Sequence, residues 1–367
     1  MGTSSLPSRW TYWLPTTKNV FDPQGDILLV LNRSITASGI DRGFGKSPKK
    51  LGDSAQLGTF TKQPEGTSAA GAPVPHEYQE IEARVSSKHL TLASRVFRAM
   101  FGGSFQERIE PGLEKLTRVP LPEDHADAML ILLGIIHGLN RNVPREIGYT
   151  LFSEIVLLVD KYELHEVTCV WTDLWFDNQW PARDTSFPGL ADWIYICWVL
   201  RRISEYKDLT RTVIYNCTSR FEDNGLPIPP AIASEIESQR LSIIEDMLKY
   251  INNTIERYES GKQHCLRSPG CDALVLGDLI KKLKLKSLYP VPQAAALDIS
   301  IAELFSRLGA LELSSLCQMY PPEPRISFGS PTPPPEIPAC GVGQGLKGET
   351  SRLGTGIKGL ELLSSTR

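Results

Sequence analysis

The residues best suited to hold a metal ion lie in one short segment of this 367-residue chain. His264, Cys265 and Cys271 offer an imidazole and two thiols, which would supply three ligands to zinc. Structural zinc usually takes four ligands, with about two to four residues between paired cysteines. Five residues separate Cys265 from Cys271, and no fourth ligand stands nearby. The pattern therefore favours a polar loop with unrelated thiols over a zinc site, and we predict no bound metal.

A glycine-rich stretch over 39–47 follows the first predicted strand and invites comparison with a phosphate-binding loop. Such loops need a fixed spacing of about four residues before Gly-Lys-Ser, so that successive backbone N–H groups surround a phosphate. Here five residues separate Gly39 from Gly45, and Pro48 and Gly52 disfavour the helix whose N-terminus would bind the anion. We therefore predict neither a bound nucleotide nor any other cofactor.

The histidines do not assemble into a catalytic group. His125, His137 and His165 lie on or next to predicted helices, and no serine or cysteine nucleophile is spaced to pair with them. A histidine in such a position is usually a core or surface residue whose hydrogen bonds are satisfied. We therefore predict no catalytic residues, and a protein that is not an enzyme.

Charge and composition argue against two classes of partner. The chain carries 39 basic and 42 acidic residues, so it lacks the basic excess expected of a nucleic-acid-binding protein. Its most apolar run, 191–200, is about half the length of a membrane-spanning helix and contains Asp192. The first 20 residues hold no apolar segment of the kind found in signal peptides. We predict no nucleic-acid partner and no membrane partner.

The seven cysteines are dispersed and odd in number. This distribution is typical of reduced thiols in the cytosol or nucleus, and it does not suggest a disulfide framework. Together with the missing signal peptide, it predicts a cytoplasmic location, a nuclear location or both.

Hydrophobic periodicity predicts an α/β arrangement in the first half of the chain. Strands at 26–31 and 80–85 would form a hairpin around an insert at 33–79, whose Gly, Ser, Thr, Pro and Ala predict disorder. A retained intron in the gene model would produce the same composition, and both explanations stay open. A helix follows at 90–101. Its predicted core stripe consists of Leu90, Phe97 and Phe101.

The remaining elements complete the first domain and predict a second, helical one. A strand at 116–121 and helices at about 124–139, 150–161 and 165–177 precede a linker at 181–188. Beyond the linker the periodicity is helical to about residue 313. The predicted divisions are an irregular N-terminal tail (1–20), an α/β domain (21–180), an all-α domain (185–318) and a disordered tail rich in Pro and Gly (321–367).

Five motifs in this order resemble the BTB (POZ) domain over about 22–175, excluding the insert. They are Asp26 at the first strand, then Leu90, Ser94, Phe97 and Met100 along the next helix, then Leu121-Pro, then Met129 to His137-Gly138, and last Asp160-Lys-Tyr162. Two positions depart from the family pattern: Ser86 stands where a buried histidine is usual, and His137 where tyrosine is usual. The variant is similar to the form common in fungal members, and 185–320 looks like the helical region that follows their BTB domain.

The resemblance implies a fold and one partner-binding site. The fold is an α/β domain with a three-stranded sheet and a helical bundle, followed by an all-α domain. BTB proteins that recruit the cullin-3 ubiquitin ligase scaffold carry a hydrophobic residue, any residue and then Glu after the Phe/Met helix. Phe105 and Glu107 match, so Phe105 would enter an apolar pocket on the cullin and Glu107 would contact its rim. Alternatively, Phe105 packs on its own domain and Glu107 is solvated.

The resemblance thus predicts a non-catalytic protein-interaction adaptor that brings substrates to a cullin-3 ligase. The alternative is a BTB scaffold or regulatory protein that acts without cullin. Long-form BTB dimers exchange an N-terminal strand and helix between protomers. Pro7, Pro15 and Pro23 interrupt the corresponding segment here and disfavour such a helix, so we predict weak or absent self-association.

Overall fold

The computed structural model of the chain describes residues 17–34, 78–102, 116–184, 186–218, 221–265, 268–319 and 340–362. The chain divides into two compact units. Unit 1 comprises Met1–Asp184 with Val199–Arg201, and unit 2 comprises Thr185–Trp198 with Arg202–Arg367. The division after Asp184 lies within the linker predicted at 181–188.

Unit 1 contains a mixed four-stranded sheet in the order β1-β3-β2-β4. Strand β2 (Ile27–Ser34) pairs antiparallel with β3 (Tyr78–Val85) and parallel with β4 (Thr117–Leu121). Strand β1 (Lys18–Val20) pairs parallel with β3. We predicted three strands and an irregular tail over 1–20, but the last three residues of that tail form the fourth strand, β1. A strand of three residues is too short to show periodicity in the sequence.

The central strand β2 explains both the core and the limits of the insert. Its apolar run 27–31 is almost wholly buried, as expected for a strand with a neighbour on each side. The ladder extends to the pair formed by Ser34 and Tyr78. The ends of the insert predicted at 33–79 thus belong to the sheet, and residues 35–77 lie outside the described part of the chain.

The helix predicted over 90–101 is instead two helices, α1 (Ser87–Ala93) and α2 (Arg95–Gly102). Ser94 separates them in an extended conformation with φ −139° and ψ 128°. Its hydroxyl donates to the carbonyl of Tyr162 at 2.6 Å and accepts the N–H of Phe97 at 3.0 Å. The break depends on a carbonyl that is distant in sequence, so helical periodicity alone could not predict it.

Three further helices complete unit 1: α3 (Ala126–Ile136), α4 (Tyr149–Lys161) and α5 (His165–Gln179). Every residue of α3 except Asp127 is buried, because the helix packs on the sheet, on α1 and on both following helices. The predicted core stripe is confirmed. Leu90, Phe97 and Phe101 are 0%, 0% and 5% exposed. The Phe97 ring stacks on Tyr162, with ring centres 4.5 Å apart.

Residues from separate sequence motifs hold one another in unit 1. The Asp26 carboxylate accepts the N–H and the hydroxyl of Ser87, at 2.8 and 2.6 Å, where α1 begins. Burial alone would raise the pKa of Asp26, but these hydrogen bonds lower it below its usual value. The carboxylate of buried Asp124 accepts from the Tyr162 hydroxyl at 2.6 Å and from the Lys161 ammonium at 2.5 Å.

His137, directly after α3, joins that helix to the start of α1. Its Nε2 accepts the backbone N–H of Ser86 at 3.1 Å, and its Nδ1 lies 2.9 Å from the Leu133 carbonyl. These partners assign a neutral ring with its proton on Nδ1. Burial lowers the pKa of His137, the carbonyl opposes this shift, and the neighbouring His89 ring adds to it.

The secondary-structure elements of unit 2 within the described residues are all helices. Its elements are α6 (Phe187–Val199), α7 (Ile203–Asn216), α8 (Pro230–Glu259), α9 (Pro269–Leu285), α10 (Ile301–Gly309), α11 (Leu316–Met319) and α12 (Val342–Gly356). Helix α8 packs against α7, α9, α10 and α12. Within the described residues, no helix has both the length and the apolarity needed to cross a membrane.

The prediction of a disordered tail over 321–367 was wrong for α12 and for the residues that follow it to 362, which are ordered and packed. Val342, Leu346 and Leu353 are buried, and α12 packs on α8 and α10. Beyond the helix, the N–H of Leu360 donates to the Thr210 hydroxyl at 2.9 Å. Gly359 has φ +72°, and a Cβ there would lie 2.1 Å from the Lys207 carbonyl oxygen. The glycine content of this tail led to the prediction of disorder. At Gly359, however, the absence of a side chain is what allows the backbone to approach Lys207 so closely.

Candidate metal centre

Four cysteine side chains converge in unit 2. Cys265 precedes α9, Cys271 is in its first turn, Cys317 is in α11, and Cys340 stands two residues before α12 begins. Their four Sγ atoms all lie within 4.8 Å of one another. Cys265 and Cys271 are buried, whereas Cys317 and Cys340 are partly exposed. We call these residues the cysteine cluster.

The distances within the cysteine cluster suit a single coordinated ion. Sγ separations are 3.4 Å for Cys265 with Cys317, 3.4 Å for Cys271 with Cys340, and 3.8 Å for Cys317 with Cys340. A disulfide requires about 2.0 Å between sulfurs. A tetrahedral ion with Zn–S bonds of about 2.3 Å places its sulfurs about 3.8 Å apart.

A buried carboxylate fixes the loop that carries Cys265. Asp272 accepts the backbone N–H of His264 at 2.7 Å and that of Cys265 at 2.9 Å. The next turn is fixed by Ser268, whose hydroxyl accepts the Gly270 N–H at 3.2 Å at the start of α9. The first two cysteines are thus held by hydrogen bonds that do not use their sulfur atoms.

The pKa values of the two partly exposed thiols, Cys317 and Cys340, are raised. Burial raises the pKa of Cys340 well above its usual value, and hydrogen bonds with the other three thiols raise it further. The hydrogen bond with Cys265 raises the pKa of Cys317 and burial adds to this shift, whereas the hydrogen bond with Cys340 opposes it. Four crowded sulfurs cannot all carry negative charge unless a cation lies among them.

Only part of the ligand set weighed from the sequence comes together. Cys265 and Cys271 are neighbours in the cysteine cluster, but the His264 ring lies elsewhere. Its Nε2 is 2.8 Å from the Arg257 carbonyl, and the ring packs beside Tyr258.

Sequence reasoning missed Cys317 and Cys340, because it sought a fourth ligand near Cys271. They lie 46 and 69 positions after that residue, outside the usual spacing of paired zinc ligands. One signal was present. Four of the seven cysteines fall between residues 265 and 340; Cys265, Cys271 and Cys317 stand in or next to predicted loops, and Cys340 lies in the tail predicted to be disordered.

The other candidate residues have separate outcomes. Phe105, Glu107 and the glycine-rich stretch at 39–47 lie outside the described residues. His125 accepts the N–H of Ala128 through Nδ1 at 3.3 Å and thereby caps the N-terminus of α3. His137 stands at the C-terminus of the same helix, where its ring contacts the Leu133 carbonyl. His165 is the first residue of α5.

Comparison of the sequence with models of protein families and with curated proteins finds no match.

Proposed function

We propose that the chain is a non-catalytic protein-interaction adaptor whose unit 1 acts as a BTB-like domain. The proposal rests on contacts within unit 1 between motifs that are far apart in the sequence. Ser94 donates to the carbonyl of Tyr162, whose hydroxyl donates to Asp124. Phe97 stacks on the same tyrosine ring. Residues that the resemblance selects in two distant segments, Ser94 and Phe97 in one and Tyr162 in the other, therefore contact one another.

The order of the elements supports the same proposal. A strand, its antiparallel partner, a helical segment, a further strand and three helices follow one another along unit 1. This is the order that the resemblance implies, with β1 added at one edge of the sheet.

The two departures from the family pattern also compensate for each other. Ser86 replaces the usual histidine, and its backbone N–H donates to the imidazole of His137, which replaces the usual tyrosine. An imidazole is therefore present beside the start of α1, although it comes from a different segment of the chain.

The specific partner that we propose is the N-terminal domain of cullin-3. The residues that would bind it are Phe105 and Glu107, on the sequence pattern described above. A buried aromatic anchor contributes more to affinity than a charge at the rim of an interface. Phe105 should therefore dominate the binding energy.

Calorimetric titration of the full chain with purified cullin-3 N-terminal domain tests this proposal. Phe105→Ala should weaken binding by about thirtyfold, equivalent to about 2 kcal/mol, and Glu107→Ala should weaken it less. Gln106→Ala is the matched control within the same segment and should bind like the parent. Thermal melting of all three variants shows whether any loss of binding reflects unfolding.

Two results would contradict the proposal at different levels. If the unmutated chain does not bind at tens of micromolar, the cullin adaptor is rejected and the scaffold that acts without cullin takes its place. If binding is tight but unaffected by Phe105→Ala, the adaptor is retained and the site is rejected.

A further inference from the structure

We propose that Cys265, Cys271, Cys317 and Cys340 bind one structural Zn²⁺ ion in unit 2. The inference does not depend on the adaptor function, because it concerns a different unit and a different kind of ligand. Three of the six sulfur pairs are 3.4 to 3.8 Å apart and no pair exceeds 4.8 Å, a range that includes the spacing of about 3.8 Å that one tetrahedral ion imposes.

The donor set and its size favour a zinc ion over hard cations and over an iron–sulfur cluster with several irons. Four thiolates are soft ligands that select zinc or iron over magnesium, calcium and manganese. A single site enclosed within 4.8 Å holds one ion, whereas an iron–sulfur cluster with several irons would spread its cysteine sulfurs further apart. Four protein ligands leave no open position for water or substrate, which is typical of a structural zinc site and not of a catalytic one.

The charge of the site has compensation nearby. Four thiolates and one divalent ion carry two net negative charges. Cys271 is in the first turn of α9 and Cys340 stands two residues before α12, so the positive ends of two helix dipoles lie close to this region. An open cavity of about 870 Å³ borders Cys340, and its lining includes Lys347 and also Lys282, which is paired with Asp278. This cavity also gives an ion and a chelator a path to the site.

The position of the ligands indicates what the ion does. They belong to three separate segments of unit 2, the first of which holds both Cys265 and Cys271, so one ion would tie α11 and the start of α12 to α9. Helix α11 has four residues, far fewer than a helix needs to be stable without tertiary contacts. The ion would therefore add a tertiary link that holds α11 against α9.

The first test measures the metal in the purified chain. The full chain, expressed in zinc-supplemented medium and purified without a histidine tag, should contain about one zinc per chain by plasma mass spectrometry. X-ray absorption at the zinc edge should show four sulfur neighbours at about 2.3 Å. Zinc bound mainly through nitrogen or oxygen would overturn the proposal, as would iron with a visible iron–sulfur chromophore.

Substitutions then assign the metal to the cysteine cluster. Cys317→Ser and Cys340→Ser should each reduce the zinc content from about one per chain to nearly none after dialysis against a mild chelator. Cys169→Ser, which removes an exposed thiol from α5 in unit 1, is the matched control and should retain all its zinc. Equal retention in all three variants would overturn the assignment.

Cobalt provides a measurement that does not require the variants to fold. The chain stripped of metal and reduced should, on addition of Co²⁺, develop the thiolate charge-transfer and visible bands of tetrahedral tetrathiolate coordination. Absence of these bands in the reduced parent chain, together with absence of zinc in the purified protein, would overturn the proposal. Disulfides formed among the four cysteines in freshly purified, metal-free protein would lead to the same conclusion.

Discussion

Phe97 lies in an aromatic cluster within the core of unit 1. It has no exposed surface, and its ring stacks on Tyr162 and on Phe101. Phe97→Ala should lower the free energy of unfolding by about 3–5 kcal/mol, because it removes a buried ring and leaves a cavity. Urea denaturation measures the change. Leu92→Ala on the adjacent helix is the control, since Leu92 is 81% exposed and should cost within about 0.5 kcal/mol. Similar midpoints for the two variants would contradict the packing described here.

His137 should make unit 1 less stable in mild acid. Its folded-state pKa lies below the ordinary 6.5, mainly because burial disfavours the charged ring. The unfolded chain therefore takes up a proton first as pH falls, so this residue's contribution to stability is complete above about pH 6.5 and declines below it. Protonation would also place a donor against the Ser86 N–H.

Unfolding free energies measured between pH 7 and pH 5 test this expectation. The parent should lose stability over this interval, and His137→Gln should show a shallower decline. His165→Gln removes an imidazole elsewhere in unit 1 and controls for the loss of one titratable group. A decline that is the same in His137→Gln as in the parent would show that another group is responsible.

At the residue scale, spacing could predict which side chains are buried but not which polar groups meet. Leu90, Phe97 and Phe101 recur at helical intervals, so their shared face follows from the sequence. The hydroxyl of Ser94 breaks that helix by bonding Tyr162, 68 positions away. No local pattern contains that partner, and the prediction of one continuous helix failed there.

At the scale of elements, the β2–β3 hairpin should form without the residues between its strands. Ser34 and Tyr78 pair directly across the ladder, so the two strand ends are one strand spacing apart. Replacing residues 35–77 with Asn-Gly should keep the register and leave the melting temperature nearly unchanged, because this dipeptide favours the turn of a two-residue hairpin. Thermal unfolding followed by circular dichroism measures the effect.

A matched variant places Pro-Pro in the same position and should melt lower, because proline disfavours the tight turn and removes backbone donors. A drop of several degrees in the Asn-Gly variant would show that residues 35–77 stabilise the fold.

Elements with strong apolar periodicity were predictable, and those held by a few distant contacts were not. Strand β2 and helix α3 are long, continuous apolar runs whose burial follows from composition. Strand β1 has three residues, and α12 contains several glycines, so neither carries a clear pattern. Their formation depends on the edge of β3 and on the packing surface of α8 and α10, which exist only in the folded chain.

For the whole molecule, the same principle explains why the cysteine cluster was missed. A site whose ligands are close in sequence can be found by spacing, whereas this one is assembled by the packing of α9, α11 and α12. Cys265 and Cys271 alone gave a weak signal, and the structure supplied the two remaining sulfurs.

The chain should be mainly monomeric at micromolar concentration. Its strand β1 pairs with β3 of the same chain, so the backbone groups that an exchanged N-terminal strand would offer to a partner are already used. Sedimentation velocity of the full chain should show one species with the mass of a single chain, 40.7 kDa. A dimer that dissociates when residues 1–20 are deleted would indicate strand exchange, and one that survives the deletion would indicate a different surface. Either dimer would contradict the prediction.

The cysteine cluster has a consequence for how this sequence can evolve. If one of the four cysteines is lost, the three remaining sulfurs no longer enclose the ion. Selection should therefore keep or lose the four cysteines together. Homologous chains should carry cysteine at 265, 271, 317 and 340 together or have lost all four. Cys169, which is exposed and separate from them, should drift freely in the same lineages.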